Sequence, residues 1–170
     1  MNEVLNCLET RRSVRKYLPK QIADAELNAI LEAGIYAPTA MGRQSPKIVV
    51  LQKPEDVAEL ERMNAAVLGN PDSHPFYGAP TVLVVLADAK AGTAVEDGSL
   101  VLGNLMNAAH ALGVGSCWIH RAREEFASGA GKALLKRWGI EGDWVGVGHC
   151  YAAEPAAPAK PRKADYIVRV

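Results

Sequence analysis

Residues 111–119 read ALGVGSCWI: the end of a helix, a glycine stop and the start of a strand. Upstream, Leu102, Leu105, Met106, Ala109 and Leu112 recur at helical spacing, which predicts the longest helix of the chain over 95–112, ended by Gly113. Downstream, GSCWIH (115–120) reads as a strand. Helices and strands that alternate along a chain ordinarily build a parallel sheet, whose nucleotide ligand sits on a glycine-rich turn that follows a strand and opens a helix. Here the glycines stand elsewhere. Those of GVGSC precede or begin a strand, and those of VGVGH (145–149) lie inside one. The dinucleotide fingerprint and the Walker-type phosphate loop are both absent, so side chains must do much of the work of holding any phosphate.

The flanking sequence supplies the other elements. KIVVLQ (47–52) reads as a strand, and TVLVVLA (81–87), apolar on both faces, as a central one. Val4, Leu5 and Leu8 predict a short helix over 2–10. A second helix carries Leu27, Ile30, Leu31 and Gly34 on one face, has Asp24 and Glu26 in its first turn and ends before Pro38. Pro54 opens a third, with Val57, Leu60, Asn64, Val67 and Leu68 on one side and Gly69 closing it. NPDSHPFYGAP (70–80) is a loop rich in breakers, AREEFASGAGKALLKRW (122–138) a helix weakened by Gly129 and Gly131, and DWVGVGHCY (143–151) a strand. The tail from Ala152 holds three prolines before the strand-like YIVRV (166–170), a stiff arm suited to docking on a partner or a distant sheet edge.

With 170 residues, the chain is long enough for one well-packed core and short for two, so a single domain spanning 1–170 is expected. Nineteen basic and nineteen acidic residues cancel, which argues against a broad electrostatic footprint for nucleic acid or an anionic membrane. Any anion site must be local. Cys7, Cys117 and Cys150 have no CxxC spacing and no His/Cys cluster beside them, so neither zinc nor a disulfide framework is indicated. The acidic MNEVLNCLETRR start is unlike a signal peptide, and TVLVVLA is too short to span a bilayer; a reducing cytoplasm is the expected location.

The local anion site has an obvious candidate in TRRSVRKY (10–17), which sets Arg11, Arg12, Arg15 and Lys16 within a few positions. Taken alone, such a run reads first as a solvated helix end. Three segments together, however, resemble the FMN-dependent nitroreductase family: RRSVRKY, APTAMGRQSPK (37–47) and ALGVGSCWI, in matching order and spacing, with AKPRKA in the tail as a fourth. The resemblance implies an α+β fold, an α/β/α sandwich with a mostly antiparallel central sheet, assembled as an intertwined homodimer with FMN at the interface and residues 152–170 extended onto the partner. It thereby argues against the parallel sheet that alternation favours.

By the same resemblance, Arg11 and Ser13, with Arg12 beside them, match phosphate-side positions, and Arg15 the position whose cation reaches the flavin N1 and C2 carbonyl. Pro38, Thr39, Ala40 and Gln44 match a segment that a second subunit lays against the ring and ribityl chain, with Arg43 adjacent. Met41 and Gly42 stand where many relatives carry a polar residue. The backbone around Ser116, Cys117 and Trp118 corresponds to the strand near flavin N5, while Lys160, Arg162 and Lys163 are candidates for a second contact with the phosphate. Read from the residues alone, Cys117 is a small buried apolar group, the pattern after Tyr36 is a turn, Trp118 is core packing and Asp97 and Glu96 suit a helix start. His74, Phe76 and Tyr77 are either a roof over the flavin or packing; His110 and His149 lack metal-ligand spacing and read as structural.

The implied activity is oxidation of NADH or NADPH through FMN, by ping-pong kinetics, with a nitroaromatic, quinone or similar conjugated small molecule as acceptor. Alternatives are a flavin-consuming or dehalogenating relative and a catalytically idle flavin-binding module. No catalytic side chain is required, because the cofactor carries the chemistry.

Overall fold

The computed structural model describes residues 2–153 and Arg169. Helix α1 (Glu3–Thr10) begins at Asn2, whose side-chain oxygen accepts the N–H groups of Val4 and Leu5, and ends where Arg11 turns extended. It is followed by α2 (Asp24–Ile35), a 3-10 turn (Ala40–Gly42), β1 (Pro46–Leu51), α3 (Pro54–Leu68) and β2 (Val82–Asp88). The remaining elements are α4 (Ala94–Ala111), β3 (Gly115–Ile119), α5 (Ala122–Ala127), α6 (Gly129–Arg137) and β4 (Trp144–Ala153).

The strands form one sheet in the order β1-β2-β4-β3, and all neighbouring strands run antiparallel. The parallel sheet favoured by helix–strand alternation is therefore not formed, and the antiparallel sandwich is. After α3 the chain runs through the long 69–81 segment before β2. A helix followed by such a return loop brings the chain back to the sheet end it left, so the next strand is antiparallel. Periodicity does not register that distance.

Strand β2 is buried on both faces, as its unbroken apolar run implies. Leu83, Val85 and Ala87 meet Leu27 and Ile30 of α2 and Leu102, Leu105 and Ala109 of α4. Val82, Val84 and Leu86 point the other way, into Leu60, Phe76, Phe126, Leu134 and Leu135. Two helical layers thus enclose the sheet. The register slips between Val85 and Leu86, which face Gly148 and Gly146, so Val147 is an extra residue in β4. This bulge turns Val147 toward Gly98 of α4 and explains the glycines inside the strand: a Cβ at Gly146 would lie 2.1 Å from the Ala122 carbonyl oxygen.

Three readings are corrected by packing. The segment 122–138 is two helices rather than one, because Ser128 turns extended, donates its hydroxyl to the Glu125 carbonyl and accepts the Gly131 N–H as a new N-cap. Val67 and Leu68, placed on the inward face of α3, are exposed, and Ala65 is buried instead. Leu112 is likewise exposed, since α4 ends before it and the inward stripe begins earlier, with Val101 and Gly98. The tail from Glu154, apart from Arg169, lies outside the described residues, and with it the expectation that it docks on a partner.

Candidate functional site

The cationic stretch leaves α1 as an extended strap along the outer edge of β3. Ser13 forms a parallel bridge with Ser116, and the Val14 N–H donates to the Ser116 carbonyl at 2.9 Å. Two segments a hundred residues apart in sequence are thereby joined. Helix α1, from which the strap departs, is pinned to the C-terminal end of α4, where the Cys7 thiol donates to the Asn107 carbonyl and the Thr10 hydroxyl lies 2.8 Å from His110 Nε2. Farther on, the Tyr17 hydroxyl donates to the Val14 carbonyl at 2.6 Å.

Two guanidinium nitrogens on this strap, Arg11 Nη1 and Arg12 Nε, are buried and have no hydrogen-bond partner among the described residues. Arg12 Nη1 is spent on the carbonyls of Glu9 and Arg11, which fixes the orientation of the fork. A buried donor without an acceptor costs about 1–3 kcal/mol, more when charged. An anion with several acceptor oxygens is the chemistry that would remove that penalty, and a phosphate monoester such as that of FMN fits. Arg15 and Lys16 are exposed.

Cys117 is buried beside this strap. Burial pushes its thiol up, while the nearby charges of Arg15 and Arg11 and a hydrogen bond with Ser13 pull it down without prevailing. No cation adjoins Cys117 in sequence; the fold supplies two. The Ser116 hydroxyl reaches the Met106 carbonyl of α4, and Trp118 packs over Gly148. Main-chain groups of alternate strand residues face opposite edges. Ser116 faces the strap, so Trp118 does too and Cys117 is turned to β4. Of the β3 backbone groups, those of Trp118 face the strap-side edge of the sheet and those of Cys117 face β4.

The second predicted segment adopts an unusual conformation. Met41 (φ 56°), Gly42 (φ 64°) and Gln44 (φ 51°) are all left-handed, which costs a non-glycine residue roughly 1–2 kcal/mol. What holds them is Asp97, a buried residue in the first turn of α4. Its Oδ1 accepts the Ala40 N–H at 2.9 Å, and its Oδ2 accepts the hydroxyls of Ser45 at 3.1 Å and Thr93 at 3.2 Å. Thr39 Oγ1 accepts the Gln44 N–H at 3.0 Å, closing the loop on itself. Pro38, Arg43 and Gln44 are exposed at its surface. Sequence reading gave Asp97 only a helix-start role; the available signal was a carboxylate one position past Glu96, on the inward side of the helix.

The two segments do not meet within one chain. The elements flanking the strap, α1 and β3, abut residues 106–110 of α4, and the loop abuts residues 93–97. Some ten helical residues separate them, about 15 Å. A cavity of about 320 Å³ beside the loop takes in Thr39, Gln44, Ile35 and Val50 but none of the strap arginines. Lys160, Arg162 and Lys163 lie outside the described residues.

The loop over 70–80 is packing at its centre. Phe76 is fully buried against Tyr151, with ring centroids 4.9 Å apart, and its N–H donates to Glu61. His74 is exposed beside Glu61, and Tyr77 is partly exposed in a left-handed conformation. His149 is buried against Glu125. Asn64, placed by the sequence on the inward side of α3 but given no role there, donates its amide to the His120 carbonyl and accepts from Arg121 Nε, both at 2.9 Å. It fixes the turn after β3, where Arg121 is left-handed. A polar residue in the apolar stripe of α3 was its signal. Among the described residues no cluster suits a metal ion, and no helix is long and apolar enough to cross a membrane.

Comparison with known proteins bears on this arrangement. The model of the nitroreductase family matches residues 8–151. A protein of Methanothermobacter thermautotrophicus named "Putative NADH dehydrogenase/NAD(P)H nitroreductase" is 30% identical over 124 residues, covering 68% of this chain and 60% of its own length. An FMN reductase [NAD(P)H] of Bacillus subtilis is 26% identical over 148 residues, 72% of this chain and 56% of its own. The chain thus spans somewhat over half the length of these relatives. A crystal structure of a nitroreductase with bound FMN from Bacteroides fragilis superposes with a TM-score of 0.90 at 31% identity, covering 100% of both chains. Another with bound FMN, from Desulfitobacterium hafniense, gives 0.89 at 28% identity over 100% of this chain and 99% of its own.

Proposed function

The chain belongs to the nitroreductase family, and from that premise we propose that it is an FMN-dependent oxidoreductase that takes electrons from NADH or NADPH and passes them to a nitroaromatic, quinone or similar conjugated acceptor. The observation that carries this reading is the pair of buried guanidinium nitrogens beside β3 that have no partner among the described residues.

Arg11 and Arg12, with Ser13 beside them, would hold the phosphate. Arg15 would set a positive charge against the N1 and C2 carbonyl side of the ring, and the exposed edge of β3 at Trp118 would offer backbone hydrogen bonds. Pro38, Thr39, Ala40, Arg43 and Gln44 would line the ring and ribityl chain from a second copy, and the tail cations Lys160, Arg162 and Lys163 would add to the phosphate site. Bound FMN would supply the hydride-accepting centre and return both electrons to the acceptor. The chain itself orients the two substrates and needs no acid or base of its own.

The separation of the two segments along α4 supports a homodimer. Gly103 stands midway, where an added Cβ meets nothing within 4 Å, and Leu100 is exposed nearby. Two α4 helices crossing antiparallel at Gly103 would set Asp97 of one copy against Ala109 of the other, six residues either side. That brings the loop of one chain to the strap of its neighbour.

An absorbance spectrum of the purified protein, with and without added FMN and then after anaerobic NADPH, tests the reading. Yellow protein bleached by NADPH or NADH supports it. Protein that stays colourless after FMN is added overturns it; bound flavin that neither nicotinamide bleaches leaves only a binding module or a consumer of pre-reduced flavin.

A further inference from the structure

We propose that Asp97 is a positioning residue for the cofactor: its carboxylate holds the 39–45 loop in the left-handed shape with which that loop meets FMN. The inference rests on the FMN reading above and adds to it a residue that touches no ligand.

The geometry separates this role from that of an ordinary acidic residue at a helix start. Glu96, one position earlier, is exposed and suffices for the helix dipole. Asp97 is 3% exposed and spends both oxygens on groups outside its helix or at its very start: the Ala40 N–H, the Ser45 hydroxyl and the Thr93 hydroxyl. Ala40 and Ser45 bracket the three left-handed residues Met41, Gly42 and Gln44. A loop with two non-glycine residues in that region persists only when its surroundings over-determine it. The Thr39–Gln44 hydrogen bond is internal to the loop and cannot anchor it to the fold. Asp97 does so from both ends. Without the carboxylate, the Ala40 N–H and the Ser45 hydroxyl lose their partners, and the loop is free to leave the shape that displays Arg43 and Gln44.

The test compares wild type, Asp97→Ala, Asp97→Asn and the exposed control Glu96→Gln as full-length dimers. FMN affinity is read by fluorescence titration, and hydrogen exchange at the Ala40 and Gln44 amides is read in the flavin-free protein. The expected result for Asp97→Ala is FMN binding weaker by about tenfold or more, with faster exchange at both amides. Asp97→Asn, which keeps one acceptor oxygen for Ala40, should fall between, and Glu96→Gln should match wild type. Should Asp97→Ala not fold, Asp97→Asn and Ser45→Ala carry the same comparison, each expected to show weaker binding and faster exchange. FMN affinity within about twofold of wild type in these variants would overturn the proposal, leaving Asp97 a merely structural residue. Unchanged exchange would overturn it too. Wild type that binds no FMN would defeat the parent reading instead, and would be told apart because it fails before any substitution is made.

Discussion

At the strap, Arg11 Nη1 and Arg12 Nε are buried donors with no partner among the described residues. Removal of Arg11 should therefore separate binding from stability. Replacing either by alanine deletes a charge-assisted hydrogen bond to the phosphate, worth about 1.5–3 kcal/mol or roughly 10- to 150-fold in FMN affinity. The flavin-free Arg11→Ala protein should melt no lower than wild type, whereas Arg12→Ala also loses the Nη1 hydrogen bonds to the Glu9 and Arg11 carbonyls and should melt lower, which calorimetry beside the titration would check. The buried thiols make a second prediction. Burial pushes the Cys150 thiol from 9.0 up to about 12, and Cys117 moves in the same direction. Below pH 9 these groups are protonated in both the folded and unfolded chain, and their contribution is intact. Between 9 and about 12 the unfolded chain releases the Cys150 proton while the folded chain retains it, so stability falls as pH rises. Urea midpoints should decline over that window, and Cys150→Ala should show a shallower decline. Tyr17 and Tyr151, raised by burial, act in the same sense.

Among the elements, β4 and α4 depend on glycine for opposite reasons. At Gly146 the sheet and the start of α5 touch through backbone, and an added Cβ would sit 2.1 Å from the Ala122 carbonyl. Gly146→Ala should cost about 1–3 kcal/mol or more by overpacking, read from urea unfolding. Gly103 is open on the outer face of α4. Gly103→Ala should raise helix stability by about 0.5–1 kcal/mol. If that face is where two copies cross, the same change should loosen the dimer, a divergence that sedimentation and unfolding together would expose. An unchanged dimer would place the interface elsewhere.

For the whole molecule, the decisive property is that, among the described residues, the two candidate segments lie apart along α4 within one chain. Helix α1 buries none of its residues, and Val4, Leu5 and Leu8 remain 66%, 53% and 51% exposed. An apolar helix face of this kind calls for a covering surface. The double substitution Leu5→Asp with Leu8→Asp should yield monomers whose own core is untouched. FMN binding should disappear in step with dimerisation, as measured by light scattering and bound-flavin absorbance on the same sample. Monomers that hold FMN at wild-type strength would show that one chain suffices.

The amino-acid sequence was enough to place the helices and strands, because apolar spacing and glycine or proline stops act over a few residues. Leu27, Ile30 and Leu102 were legible as core for that reason, while the cationic run was legible as a charge cluster and became a candidate anion site only through the matching segments. Motif resemblance pointed to the antiparallel sandwich, which spacing alone did not distinguish from a parallel one. Tertiary structure alone set Arg15 and Arg11 beside Cys117, tied Asp97 to a loop more than fifty residues away, capped a second helix at Ser128 and parted the strap from the loop along α4. Those relations join residues through space across an unbroken sheet, and a one-dimensional pattern carries local periods, not the distances that chain reversal creates.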